Sequence, residues 1–476
     1  MRIYYKPALI ALPLLLGACA TAVPSKYINK AEGFDAVASG ANKAIGKQTV
    51  WIQSKQEAEA NGKRVHKMVH RKTISAETAV QVALLNNKGL QAIYAEVGLS
   101  AAEVWQEALP ENPIVSIGIF GIAAPELGVF RAIEGMFATN LLDAKTRKQR
   151  VALADTQFKK AQLNAVNETL KLAAETRQAW IKAVSAFEAT GNLKRASATS
   201  DASSELAKNL GLAGSLDKGS QAREHAFNAD LAAQTAKARL EAAGAKAELT
   251  RLMGLWGTEV DYFVPNSLPR LPKSIPRRRS IEADALKNRA ELKVAKLGLE
   301  ATAKSFGMAD ASRYVTDLEL LAGFETEREA DDNGNAASNT TPQLELEFAI
   351  PIYDTGKARL RTAELDYLRA ANVVAEMAIN IRSEARSAEA AYHGTYQIAK
   401  HYRDTVLPLR KVVDDAALLS NNGMITNTFE LLEDARETLE SEMEAGEAKR
   451  DFWLAKANLQ AAIYGGKTSQ SEEEDE

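Results

Sequence analysis

The chain has 476 residues, 46% of them hydrophobic, and its 59 basic against 62 acidic side chains leave a net charge of −3. A charge so close to zero argues against a bulk nucleic-acid binder, and the single cysteine excludes an internal disulfide and any multi-cysteine metal site. At roughly 150 residues per domain, the length alone predicts about three domains.

The N-terminus has the features of a bacterial secretory signal that ends in a lipidation site. Arg2 and Lys6 form a basic region, and the apolar stretch 8–16 that follows is too short to span a bilayer. It ends Leu16-Gly17-Ala18-Cys19, which resembles a lipobox, in which the cysteine thiol takes the lipid. We therefore predict a signal peptide over 1–18 and lipidation of Cys19. The alternative is a buried free cysteine beside an ordinary cleavage site. Ala20, rather than Asp, follows the cysteine, which implies delivery to the outer membrane of a double-membraned bacterium.

The spacing of prolines predicts long helices. No proline occurs from 126 to 264, and proline inside a helix costs about 3 kcal/mol. The stretch 141–209 is rich in Ala, Leu, Lys, Glu and Gln and is predicted to be one helix. Heptad spacing, typical of a coiled-coil seam, favours helix-on-helix packing over a single amphipathic helix on a globular core. It occurs at Ala363, Tyr367, Ala370, Val374, Met377 and Ile381, and again at Ala448, Phe452, Ala455, Leu459 and Ala462.

The same order of features occurs twice along the chain. The first copy is assigned to 73–257 and the second to 280–466, with a Pro/Arg-rich linker over 258–279. Each copy is expected to hold an opening helix of about 30 residues, a strand pair and two long helices separated by a break. The flanks are assigned as a lipid-anchored N-terminal segment, 19–72, and an acidic disordered tail, 467–476.

The breaks between the long helices contain glycine or asparagine, which accommodate positive φ and can turn one helix back on its neighbour. They lie at 210–215 in the first copy and at 421–426 in the second. Asp217, and Thr426 or Thr428, are expected to cap the returning helices.

Period-2 alternation predicts a strand pair in the second copy, joined by a polar loop at 329–341. The pattern fits a membrane β-barrel, apolar toward lipid and polar toward a wet lumen, and it equally fits a soluble half-buried hairpin. In the first copy, 113–122 is a plausible strand, whereas its partner within 127–142 alternates poorly. The apolar positions are Leu318, Leu320, Ala322, Phe324, Leu344, Leu346 and Phe348, and the polar ones are Glu319, Glu325, Gln343, Glu345 and Glu347.

Three stretches resemble the TolC-like outer-membrane efflux protein family, and the resemblance covers roughly 73–466. The stretch 348–358 is similar to the family's strand end, proline and Asp/Gly turn that lead into a long helix. Asn112-Pro113 is similar to the start of its first strand. The stretch 430–436 resembles its acidic motif after the second break, although it lies one residue farther from Gly423 than the usual spacing.

The resemblance implies a mostly α fold with a small β part. Long antiparallel coiled-coil helices would form a trimeric α-barrel in the periplasm, and four strands per chain would contribute to a shared twelve-stranded transmembrane β-barrel. The protein would be a passive efflux or secretion duct in the outer membrane, a homotrimer that works with a periplasmic adaptor and an inner-membrane pump.

The resemblance also implies roles for particular residues. The adaptor would contact the helical tips at Gly211, Leu212, Gly214, Gly423, Met424 and Ile425. Glu430 and Glu433, which lie on one helix face, would ring the periplasmic gate, and Glu319, Glu345 and Glu347 would line the barrel lumen. The alternatives are solvated surface glutamates and ordinary turn residues.

Little in the sequence indicates an enzyme, and no cofactor or metal is expected. There is no glycine-rich phosphate loop and no Gly-x-Ser-x-Gly motif. His66 and His70 are spaced i, i+4 and could share a metal on a helix, but without an evident third ligand they are more simply surface histidines. The rival to the duct is a periplasmic coiled-coil lipoprotein acting as a scaffold or adaptor without a pore.

Overall fold

The computed structural model describes residues 25–29, 31–122, 130–214, 216–277, 280–315, 317–330, 336–422 and 428–466. Most of these residues are helical, and four strands form one antiparallel sheet in the order β1-β2-β3-β4. The mostly α fold with a small β part and four strands per chain is therefore confirmed.

The first half of the chain contains two short helices, a helix pair, a strand pair and two long helices. After a 3₁₀ turn at Ser25–Ile28, these are α1 (Phe34–Ile45), α2 (Lys55–Val69), α3 (Ala76–Asn86), α4 (Lys88–Ala108), β1 (Ile114–Phe120), β2 (Ala132–Asn140), α5 (Leu141–Leu212) and α6 (Lys218–Leu252). The predicted long helix at 141–209 corresponds to α5.

The second half, which follows a 3₁₀ turn at Gly257–Val260, has the same order from its helix pair onward. Its elements are α7 (Ile281–Asn288), α8 (Ala290–Ala311), β3 (Leu318–Ala330), β4 (Ala336–Phe348), α9 (Lys357–His401), a π-helical turn (Tyr402–Val406), α10 (Leu407–Asn422) and α11 (Thr428–Tyr464). The assignment of the two halves as structural repeats stays a prediction.

The chain divides into two compact units, and each draws segments from both halves. One unit consists of Met1–Gly33, Glu96–Gln162 and Val294–Glu376 and contains the sheet. The other consists of Phe34–Ala95, Leu163–Lys293 and Met377–Glu476 and contains most of the helical residues.

The opening helix of each half is broken in two, so the prediction of one helix of about 30 residues was wrong. In the first half the break is at Asn87, whose side-chain oxygen accepts from the Leu90 amide at 3.0 Å and so caps α4. The Asn87 amide group also donates to the Leu252 carbonyl at 3.0 Å, and Asn86 donates to the Gly254 carbonyl at 2.6 Å. These side chains satisfy carbonyl groups at the end of α6 that helix geometry leaves without partners.

In the second half the break is at Arg289, which also donates to a carbonyl group at the end of the last helix, but through a guanidinium group instead of an amide. Its side chain is buried, and its Nε donates to the Ala462 carbonyl at the end of α11 at 2.8 Å. Its two terminal nitrogens form ion pairs with Glu291 at 3.0 Å and Glu384 at 2.7 Å. In both halves, side chains at the break in the opening helix donate hydrogen bonds to carbonyl groups at the end of the last helix.

The strands β3 and β4 extend through most of the stretch 329–341, which the sequence predicted to be a loop. The directly paired residues there include Glu327 with Asn339 and Arg328 with Ser338. The Thr326 and Thr340 hydroxyls lie 3.0 Å apart, so polar cross-strand pairs continue the ladder. The prediction was wrong because apolar alternation stops there, although backbone pairing does not.

Candidate functional site

The sheet has one continuous apolar face, because residues paired directly across a ladder point to the same side. The register pairs Leu320 with Leu346, Ala322 with Leu344 and Phe137 with Ala322, so the apolar positions of neighbouring strands coincide. Ile117 is 73% exposed and Leu344 is 74% exposed, so the described residues leave this face largely uncovered. We call it the apolar face; it comprises Val115, Ile117, Ile119, Ile133, Phe137, Leu318, Leu320, Ala322, Phe324, Leu344, Leu346 and Phe348.

The opposite side of the sheet, the acidic face, carries carboxylates. Glu319 lies directly opposite Glu347, and Glu134 lies directly opposite Glu325. Within the four described strands this face holds no Lys or Arg, so the like charges are not neutralised there. The predicted lumen residues Glu319, Glu345 and Glu347 all lie on it, while their position in a lumen stays a prediction. Its glutamates are Glu134, Glu319, Glu325, Glu327, Glu329, Glu345 and Glu347.

The sheet has two open edges. Because the strand order is β1-β2-β3-β4, the outer sides of β1 and β4 pair with no other strand among the described residues. Such edges present unpaired N–H and C=O groups that can pair with another chain. In lipid an open edge is not tolerated, because no water is present to satisfy these groups.

The first helical break turns the chain between α5 and α6. Gly214 has a φ of +76°, a conformation that glycine adopts without strain. Asp217 accepts hydrogen bonds from the Gly219 amide at 2.8 Å and the Ser220 amide at 3.0 Å, which confirms it as the cap of α6. The hydrogen bond from the Ser220 hydroxyl is the main cause that holds the pKa of Asp217 below its ordinary value.

Of the predicted adaptor contacts, the first break provides three that the structure describes. Leu212 is the last residue of α5 and is 80% exposed. A side chain at Gly211 would collide with Gln221, so α5 and α6 lie close together at that point. Gly423, Met424 and Ile425 lie outside the described residues, as does Thr426.

The predicted gate residues lie at the start of α11. Glu430 is in its first turn, and its side chain lies outside the described part of the structure. The Glu433 side chain is 53% exposed and lies 3.5 Å from an Arg436 nitrogen. The three-residue spacing places Glu433 and Arg436 on one helix face.

Arg436 connects α11 with α6, a contact that the sequence reasoning missed. Its guanidinium pairs at 2.9 Å with Glu224, whose side chain is 5% exposed, and lies 4.2 Å from the centre of the Phe227 ring. A charge on a buried carboxylate requires such a partner. The i, i+3 spacing from Glu433 was visible in the sequence, but the pairing with a residue on α6 was not.

Several other predicted features lie outside the described residues. These are the signal peptide 1–18, the lipidation site Cys19 and the acidic tail 467–476. Among the described residues, no helix is apolar enough over a sufficient length to cross a membrane.

Comparison with known proteins identifies the fold. No protein-family model and no curated protein matches the sequence. The Campylobacter jejuni CmeC outer membrane channel matches with a TM-score of 0.68 and 17% identity, over 89% of this chain and 90% of that chain. The Neisseria gonorrhoeae MtrE outer membrane channel, in its open state, matches with a TM-score of 0.63 and 17% identity, over 82% of this chain and 89% of that chain. The outer membrane protein VceC from Vibrio cholerae matches with a TM-score of 0.63 and 15% identity, over 82% of this chain and 96% of that chain. The chain has the fold of these outer-membrane proteins, as the sequence resemblance implied.

Proposed function

We propose that this chain is the outer-membrane channel of a tripartite efflux or secretion system, a passive duct and not an enzyme. The observation that carries the proposal is the sheet, with its exposed apolar face, acidic face and two open edges. An apolar exterior and a polar interior on alternate residues are what a transmembrane β-barrel requires. The fold shared with outer-membrane channels supports the same function.

The open edges support a homotrimer. Four strands are too few to close a barrel, whereas three copies of the sheet supply twelve strands. In this arrangement β4 of one copy pairs with β1 of the next, a head-to-tail contact that closes into a ring. The apolar face then contacts lipid, and Glu319, Glu345 and Glu347 face the lumen.

The remaining parts of the proposal follow from the sequence, the lipid anchor from the lipobox at Leu16-Gly17-Ala18-Cys19 and the others from the family resemblance. Lipid on Cys19 anchors the chain at the outer membrane, and the helical part lies in the periplasm. A periplasmic adaptor contacts the tips at Gly211, Leu212, Gly214, Gly423, Met424 and Ile425, and links the channel to an inner-membrane pump. Glu430 and Glu433 of the three copies ring the periplasmic mouth.

The rival is a periplasmic coiled-coil lipoprotein without a pore. It gives no reason for the uncovered apolar face, on which Ile117 and Leu344 would contact water.

Conductance in a planar lipid bilayer separates the two functions. The purified full-length protein is expected to form stepwise ion channels and to migrate as a heat-sensitive oligomer in gels of outer-membrane extracts. Recovery of only a monomer that leaves the membrane when the lipid anchor is removed, with no conductance, would contradict the duct and favour the scaffold.

A further inference from the structure

His66 and His70 are brought together at the end of α2. His66 lies in the last turn of the helix, and the His70 amide donates to the His66 carbonyl at 3.0 Å. The ring centres lie 4.4 Å apart, with 20° between the ring planes. The i, i+4 spacing was visible in the sequence, and the structure adds the helix that places both rings on one side.

A backbone carbonyl determines which nitrogen of His70 is available. His70 Nδ1 lies 3.2 Å from the Thr258 carbonyl oxygen, in the 3₁₀ turn after α6. A carbonyl oxygen only accepts hydrogen bonds, so Nδ1 carries the proton and the lone pair of the neutral ring is on Nε2. Histidines that bind metals characteristically donate their other ring N–H to a carbonyl or carboxylate, which fixes the ring and its tautomer.

We propose that His66 and His70 form a surface site for a divalent transition-metal ion that favours imidazole, with Cu²⁺ bound more tightly than Ni²⁺ or Zn²⁺. Imidazole suits these ions, and their order follows the general trend for nitrogen ligands. Each metal–nitrogen bond is about 2.0–2.1 Å, so rotation of the exposed His66 ring is needed to bring both Nε2 atoms to one ion.

The site has two protein ligands, and water completes the coordination. Among the described residues, no group of three or more His, Cys, Asp or Glu side chains is arranged to hold a metal ion. Lys63 and Lys67 each precede one histidine by three residues, and their positive charges weaken binding of a cation. The ion is therefore exchangeable, unlike an ion in a closed structural site.

Titration of the full-length, detergent-solubilised protein with Cu²⁺, Ni²⁺ and Zn²⁺ tests this proposal by calorimetry. We expect each chain to bind one Cu²⁺ ion saturably. Removal of either histidine should weaken binding by about tenfold or more. The electron paramagnetic resonance spectrum of bound Cu²⁺ should show two coordinated nitrogens. The test variants are His66→Ala and His70→Ala, and the matched controls are His225→Ala and His401→Ala.

A second readout is thermal unfolding, because an ion that binds only the folded chain raises its midpoint. The shift with Cu²⁺ is expected to be equal in the wild type and both controls and clearly smaller in both test variants. All four histidines lie at the surface or half-buried, so the variants are expected to fold. Equal Cu²⁺ affinity in the wild type and both test variants, or no saturable binding by the wild type, would overturn the proposal, whatever the channel assay gives.

Discussion

Arg289 shows how much one side chain can hold in this fold. It is 2% exposed, and its guanidinium joins three segments: the end of α11, the start of α8 and the middle of α9. Burying a guanidinium is unfavourable unless it is paired and hydrogen-bonded, and here each of its three nitrogens has a partner.

Replacing Arg289 with Met is expected to lower the free energy of unfolding by about 3–5 kcal/mol, because the carboxylates of Glu291 and Glu384 lose the positive charge that pairs with them. The matched control is Arg386→Met on α9, whose side chain is 64% exposed and pairs with Glu282 at 3.4 Å. That change should cost no more than about 1 kcal/mol. Denaturant unfolding followed by circular dichroism measures both, and equal losses would contradict the role of Arg289.

Tyr94 and Tyr262 are expected to titrate late at alkaline pH. Burial raises the pKa of each phenol to about 12, although hydrogen bonds with Thr169 and Thr250 oppose the shift. Because the folded pKa lies above the ordinary value of 10.0, their contribution to stability is complete below pH 10 and is lost as pH rises through 12.

Ultraviolet difference spectra at high pH measure this directly. The Tyr94→Phe, Tyr262→Phe double variant should lose two phenol ionisations near pH 12 that the wild type shows. The exposed Tyr353 supplies the control, since Tyr353→Phe should leave the late ionisations intact. A spectrum in which Tyr94 and Tyr262 ionise with the exposed tyrosines would contradict the burial argument.

At this scale, sequence reasoning succeeds where chemistry is local. Asp217 was predicted as a helix cap because its partners lie two and three residues ahead, and the structure confirms it. The pairs Arg436–Glu224 and Arg289–Glu384 join different helices, so no local pattern could reveal them.

Among the elements, the sheet was only partly predictable. Strong alternation located β3 and β4, but β2 alternates small, polar and aromatic residues and was recognisable only as an uncertain region. The polar ends of β3 and β4 were missed because backbone pairing there depends on the partner strand. The breaks at Asn87 and Arg289 were missed because the hydrogen bonds made there go to the ends of helices that lie far along the chain.

The two faces of β4 can be tested with neighbouring residues. Leu344→Arg places a charge on the apolar face, which should cost about 2–4 kcal/mol near the middle of a bilayer, so little oligomer should reach the outer membrane. Gln343→Arg places the same side chain on the acidic face, where it should be tolerated. Quantifying heat-sensitive oligomer in outer-membrane fractions compares them, and equal yields would contradict the assignment of the faces.

The start of α11 can be tested by changing its charge alone. Glu430→Gln with Glu433→Gln should reduce cation selectivity and alter single-channel conductance, because in the proposed trimer the carboxylates of three copies would attract cations at the periplasmic mouth. Glu205→Gln with Glu241→Gln removes the same charge from exposed positions on α5 and α6. Unchanged cation selectivity in the first variant, or an equal change in the control, would exclude Glu430 and Glu433 from the gate.

At the scale of the whole molecule, the proposed lipid anchor can be tested at the lone cysteine. Wild-type protein is expected to incorporate labelled palmitate in cells, and Cys19→Ser is expected to lose the label completely because no other cysteine exists. The variant should still assemble, since the proposed barrel itself is held in lipid by its apolar face. Labelling that persists in Cys19→Ser would contradict the anchor.

The two open edges of the sheet have a genetic consequence. In the proposed trimer, β1 and β4 of each copy pair with the two neighbouring copies. A single chain with a damaged β1 or β4 therefore leaves its ring unclosed. A cell that makes equal amounts of intact and damaged chain would, by random assembly, complete only about one ring in eight. Edge mutations should therefore act dominantly, whereas alleles that prevent synthesis of the chain should be recessive.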